Sequence, residues 1–140
     1  GVEVGLGSPN QEGLLDVLEE ARLALLAQRS GYQTDRVDPA LLFECATAGG
    51  YRSLGLTGGI LRERAPADLA VLNLDCFRSP IVLGDPAPAI VVLASSSCIR
   101  YTLVGGAIVY DRESEDFHAR VREILGRLRE LVGDLGEVIL

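Results

Sequence analysis

Apolar and polar positions change their period several times along this chain. Val2–Gly7 alternates weakly and is rich in Val, Gly and Leu, which predicts a short buried strand suited to a parallel sheet. A polar loop, Ser8–Gly13, follows. Over Leu14–Arg29 the apolar residues Leu14, Val17, Leu18, Ala21, Leu25 and Leu26 recur at three- and four-residue steps, which predicts an amphipathic helix. Asp16, Glu19 and Glu20 near its start and Arg29 at its end complement the helix dipole. Ser30–Val37 is a polar linker. Asp38-Pro39 then starts a second helix, with Asp as N-cap and Pro at the first helical position. That helix is expected to run from Pro39 to Ala48 and stop at Gly49-Gly50, with a further helical piece over Tyr51–Leu54.

Beyond Gly55 the pattern turns to strands. Asp68–Leu74 and Ala89–Ala94 each read as a strand, the second buried on both faces. Ile99–Val104 and Ala107–Tyr110 flank Gly105-Gly106, a hairpin signal because both turn positions can take positive φ. Tyr101 and Tyr110 are expected to pack across that hairpin. Ser114 caps a last helix with Glu115 and Asp116 in its first turn. Phe117, Val121, Ile124, Leu125, Leu128, Leu131 and Val132 form its apolar stripe. A strand, a loop and a helix at the N-terminal end make a β-α unit, which points to an α/β architecture. The first strand has no evident parallel partner, so the chain reads as the end of something larger.

Composition narrows the chemistry. The 140 residues suit one domain, and 48% of them are hydrophobic, which predicts a globular chain rather than a disordered one. No apolar run reaches the roughly 18 residues of a membrane span. No basic region precedes an apolar stretch in the manner of a signal peptide, so the expected location is cytoplasmic. The net charge of −7 argues against a nucleic-acid footprint. All 13 basic residues are Arg, which excludes Schiff-base and P-loop chemistry through lysine. Cys45, Cys76 and Cys98 lack CxxC spacing and are read as reduced buried thiols. With one histidine, His118, the chain can hardly build a zinc site or a His-based triad by itself. There is no Met, so the chain follows a processed initiator or was cut from something longer.

Five local motifs, in order, resemble the C-terminal part of the amidohydrolase superfamily, in its branch of cytosine and guanine deaminases and chlorohydrolases. Gly1-Val2-Glu3-Val4-Gly5-Leu6-Gly7-Ser8 is similar to that family's last barrel strand. Glu19-Glu20-Ala21-Arg22-Leu23-Ala24 matches the helix after it. Ala46-Thr47-Ala48-Gly49-Gly50 and Ser53-Leu54-Gly55-Leu56 stand where the family has its next helix. Gly59-Ile60-Leu61 with Ala67-Asp68-Leu69-Ala70-Val71 resembles a following turn and strand, and Val104–Tyr110 a late hairpin. In the turn, Arg64 stands where the family carries a second glycine and Ala65 where a basic residue often follows.

The resemblance implies the C-terminal piece of a (β/α)8 metal-dependent hydrolase barrel plus part of a small composite β-rich domain. Residues 1–56 would be the last barrel strand and following helices, 57–112 strands of the small domain, and 113–140 the closing helix and tail. It also implies hydrolysis by a metal-bound water, with zinc or iron in complete members. The family takes an Asp ligand from the last strand, but Pro9 stands there and offers no side-chain donor. No metal ligand and no catalytic residue is therefore assigned in this chain, and no cofactor is expected in it alone. Ser8 and Asn10 are the candidates for a substrate rim, since barrel enzymes place chemistry at the C-terminal ends of strands. For Ser8 the competing reading is a loop or capping hydroxyl. Glu19, Glu20 and Arg22 read as a solvated face with a local salt bridge, Asp68 as a strand start bonding nearby amides, and His118 as surface or rim.

Three readings of function stand. The first is an amidohydrolase-like protein or fragment, of the deamination or dechlorination type acting on C–N or related bonds. Its small-molecule substrate would be met in the complete enzyme. The second is a non-catalytic, degenerate member acting as a partner or assembly subunit. The third is an independent α/β domain whose open strand edges need a second copy. A homo-oligomer or a complementary chain is the expected partner, with neither nucleic acid nor membrane.

Overall fold

The computed structural model describes residues 1–8, 15–32, 37–76 and 84–135. Helix α1 spans Val17–Gly31, α2 Pro39–Ala46 and α3 Ala48–Ser53. Strand β1, Leu69–Leu72, is followed by α4, Ala87–Leu93. Strands β2, Ile99–Val104, and β3, Ala107–Asp111, precede α5, Glu115–Leu135. The strands form an antiparallel sheet in the order β1-β2-β3. Leu69 pairs with Leu103 and Thr102 with Tyr110, with irregularities after Val71 and Thr102. The mixture of helices with a small sheet agrees with the α/β reading.

The caps formed as the side chains dictate. Asp16 Oδ1 accepts from the amides of Leu18 and Glu19 at 3.0 and 3.3 Å, and Asp38 Oδ1 accepts from Ala40 at 2.9 Å. Ser114 Oγ accepts from Phe117 N–H at 3.2 Å and opens α5. Gly105 and Gly106 take φ of 56° and 84°, so the hairpin closes with both turn residues left-handed.

Helices α1, α2 and α4 enclose the main core. Ala21, Leu25, Leu42 and Val91 are buried there, and Leu6, Ala24, Val37 and Phe43 pack around them. A second cluster, Ala94 with Cys98, gathers Leu18, Leu72, Cys76 and Ile90 and seats the end of the sheet against α1. Tyr110 does not pack across the hairpin on Tyr101. The two occupy successive register positions, opposite Thr102 and Asp111, and so face opposite sides of the sheet. Tyr110 meets Phe117 of α5 edge-on at 4.8 Å, while Tyr101 lies under the Arg100 guanidinium at 4.3 Å.

Other expectations fail as well. Residues 1–8 form no strand, because no other described segment pairs with them; Leu6 N–H instead reaches the Cys45 carbonyl at 3.0 Å. Ala89–Ala94 is not a strand but lies in and just after α4. A short apolar run has no period that separates the two states. Here Pro88 falls in the first helical turn, where its missing N–H costs nothing, and Asp85 Oδ1 accepts from Ala87 N–H at 3.0 Å. The cysteines are not all reduced, since Cys76 and Cys98 form a disulfide with Cα atoms 5.5 Å apart, leaving Cys45 free. Pairing of Leu72 with Ile99 brings the turns Leu74–Cys76 and Ser96–Cys98 side by side, which sequence spacing cannot reveal.

Gly49-Gly50 does not end α2 either. The break falls at Thr47, with φ −126° and ψ −99°, and both glycines lie inside α3. Close contact requires a glycine at Gly49 and, on the facing segment, at Gly5. A Cβ on Gly49 would lie 2.5 Å from the Val4 carbonyl oxygen, and one on Gly5 would lie 2.9 Å from Gly50 Cα. Backbone meets backbone where residues 1–8 cross α3, and only glycine permits it.

Candidate functional site

That crossing opens a cleft of about 600 Å³, lined by Gly5–Gly7, Ala46, Thr47, α3 residues Gly50, Tyr51 and Ser53, then Leu54, Leu56 and Asp68. Its walls are mostly apolar. Thr47 Oγ1 donates to the Phe43 carbonyl at 2.8 Å and Ser53 Oγ to the Gly50 carbonyl at 2.9 Å, so both hydroxyls are turned to their own helices. The strongest polar group at the cleft is Asp68. Its Oδ2 accepts from the Tyr51 hydroxyl at 2.6 Å and its Oδ1 from Gly105 N–H at 2.7 Å.

These bonds set the ionisation of the pair. The Tyr51 hydroxyl, then the Gly105 amide, hold the Asp68 carboxyl below the usual carboxylate range, although burial opposes them. The same hydrogen bond to Asp68, with burial and the nearby negative charge, pushes the Tyr51 phenol up. Near neutral pH the pair is a carboxylate and a phenol. A carboxylate with both oxygens engaged and a lowered pKa is a poor general base. Its work here is to tie α3, the start of β1 and the β2–β3 turn together. Asp68 thus does bond a backbone amide, but one 37 positions along the chain rather than a neighbour. Tyr51 was missed, because nothing in a separation of 17 residues announces a contact.

Of the rim candidates, Ser8 Oγ donates to Glu20 Oε1 of α1 at 3.3 Å and is not among the residues lining the cleft. Asn10 and Pro9 lie outside the described residues. Arg22 is more than a solvated charge. It pairs with Glu19 at 2.7 Å as expected, but its Nε also donates to the Val92 carbonyl at 3.0 Å and its terminal nitrogen to Ala94. It thereby satisfies carbonyls at the C-terminal end of α4 that no helical amide can reach. His118 Nε2 lies 2.6 Å from the Arg112 carbonyl, at the surface near the start of α5. Arg52 bridges Glu3 at 2.8 Å and Glu44 at 2.6 Å, pinning the N-terminal segment across α2 and α3.

Among the described residues no three His, Cys, Asp or Glu side chains gather where one ion could be held. The donors among the described residues do not fit the metal that the family resemblance implies, and no catalytic step is derived through one. No described helix is long and apolar enough to cross a membrane.

Comparison with known proteins bears on this arrangement. The model of the amidohydrolase family matches residues 1–109. A 5'-deoxyadenosine deaminase of Methanospirillum hungatei is 31% identical over 139 residues, covering 96% of this chain and 30% of the relative. A 5-methylthioadenosine/S-adenosylhomocysteine deaminase of Natronomonas pharaonis is 35% identical over 94% of this chain and 32% of its own length. The Halobacterium salinarum protein of the same name is 34% identical over 98% of this chain and 33% of its own length. The chain spans about a third of the curated relatives it matches.

Proposed function

The chain belongs to the amidohydrolase family, and on that premise we propose that it is the C-terminal share of a metal-dependent deaminase. The substrate class is an adenosine-type nucleoside altered at its 5′ position, and the reaction replaces the exocyclic ring amine by oxygen, taking up water and releasing ammonia. The observation carrying this reading is similarity over nearly the whole chain to relatives named for such deaminations. Residues 1–8 supply the last strand of a (β/α)8 barrel, completed by strands outside this chain. Residues 57–112 contribute to a small composite domain and 113–140 close it. The metal ligands come from outside this chain, so the isolated chain is inactive.

A second reading is supported by one residue. Pro9 stands at the family's last-strand Asp, which favours a member kept as a non-catalytic partner subunit. The two separate in one experiment: the isolated chain and any longer protein containing it are purified, their metal is quantified, and ammonia release from 5'-methylthioadenosine is followed. The deaminase reading expects a metal-poor, inactive short chain and an active, metal-loaded long one. A metal-free, inactive long form would overturn it in favour of the partner subunit. Stoichiometric metal in the short chain would overturn the claim that the ligands lie elsewhere.

A further inference from the structure

We propose that Cys76–Cys98 is a thiol-exchange site with a fixed direction: an incoming low-molecular-weight thiol attacks Cys76, and Cys98 is the sulfur that leaves. This does not rest on the deaminase reading. The two half-cystines share one apolar cluster but differ in exposure. Cys98 is 4% exposed and packs with fully buried Ala94, whereas Cys76 is half-buried in the turn Leu74–Cys76. Exchange requires a thiolate to reach the sulfur it attacks, so access selects Cys76.

The step balances. The external thiolate bonds to Cys76 Sγ, the Cys76–Cys98 bond breaks, and its electron pair departs on Cys98 Sγ, which then takes a proton. The product is a mixed disulfide on Cys76 and a free thiol at Cys98. A second external thiolate attacks the external sulfur of the mixed disulfide, leaving Cys76 as a thiol and the two small thiols oxidised to their own disulfide. Leu18, Leu72 and Ile90 pack with Cys76 against the cluster that Cys98 forms with Ala94. The fold holds Cys98 beside Cys76, so the freed Cys98 thiolate can attack Cys76 Sγ, expel the small thiol and reclose the bond.

The consequence is local. The bond joins the turn after β1 to the turn before β2, where Asn73 N–H donates to the Cys98 carbonyl at 2.8 Å and Ser96 N–H to Asp16 Oδ2 at 2.7 Å. Opening it loosens that end of the sheet from α1. The opposite end stays tied by Tyr51, Asp68 and Gly105.

The test uses the whole chain carrying Cys45→Ser, so that only this pair can react. The oxidised protein is exposed to reduced glutathione, trapped with N-ethylmaleimide, and mapped by peptide mass spectrometry. Glutathione is expected on Cys76 and maleimide on Cys98. Glutathione on Cys98, or equally on both, overturns the proposal, as does recovery of two free thiols from a glutathione-disulfide buffer. The single variants Cys76→Ser and Cys98→Ser give a second readout. The lone Cys98 should react with glutathione disulfide at least about tenfold more slowly than the lone Cys76, and equal rates would sink the assignment. Should the variants fail to fold, hydrogen exchange on the unsubstituted chain decides. Reduction should deprotect Asn73 and Cys98 while Gly105 keeps its protection, and uniform or absent deprotection counts against the local role.

Discussion

Arg64 is the one described non-glycine residue with positive φ, at 65°. It sits third in a four-residue turn closed by Ala65 N–H donating to the Arg62 carbonyl at 3.2 Å, the position where a type II turn calls for glycine. The family resemblance marks this position as a glycine replaced by arginine. The structure places that arginine at a left-handed position of the turn. Arg64→Gly is expected to stabilise the chain by about 1 kcal/mol, the cost of a left-handed L-residue. Urea denaturation would show a raised midpoint at unchanged slope; a lowered midpoint would mean that the side chain contributes more than its backbone costs. Asp68 illustrates the limit of reading residues singly. That it begins a strand and bonds an amide was legible. That it joins Tyr51 to Gly105 was not, because these partners lie 17 and 37 positions away along the chain.

Elements carry the next level of consequence. Helix α1 was legible from its period, and its N-cap from the Asp at its start. The tertiary role of that cap was not: the second oxygen of Asp16 takes the Ser96 amide, 80 residues away, and joins α1 to the turn before β2. Burial raises the Asp16 pKa, but the Ser96, Leu18 and Glu19 bonds outweigh it and the net shift is downward from 3.8. A carboxyl with a depressed folded pKa adds stability above its unfolded value and loses it as pH falls through the folded value. Stability is therefore expected to drop below about pH 4, and Asp16→Ala to lose about 1–2 kcal/mol at neutral pH. Urea titrations of both proteins from pH 7 to pH 3 would check this, with the gap between them narrowing in acid; a constant gap would disprove the linkage. Helix α4 teaches the opposite lesson. Its run of Ile, Val and Leu looks like a strand, yet Pro88 in the first turn, the Asp85 bond and a site between α1 and α2 make it a helix.

The whole molecule exposes more surface than its size warrants. A self-contained folded protein of 14.9 kDa is expected to expose about 7,000 Å², and this chain exposes 10712 Å². Val2 is 90% exposed and Leu61 89%, and beyond Phe117 the stripe of α5 lies open at Ile124, Leu128 and Leu131. An obligate interface takes about 1,000–2,500 Å² from each partner, so the excess is at least what this chain would give up to one. The isolated chain should bind the dye ANS and sediment above one chain mass, and a longer protein containing it should do neither. A monomer that leaves the dye dark would refute the need for further protein. Sequence alone determined what local chemistry controls: the caps at Asp16, Asp38 and Ser114, the diglycine hairpin, the period of α1 and α5, and the motif order that placed the chain in its family. Tertiary structure alone decided the state of 1–8, the helical fate of α4, the Cys76–Cys98 bond and the Tyr51–Asp68–Gly105 tie. Each of these depends on a partner distant in sequence, and neither periodicity nor capping extends beyond the few residues of one turn or strand.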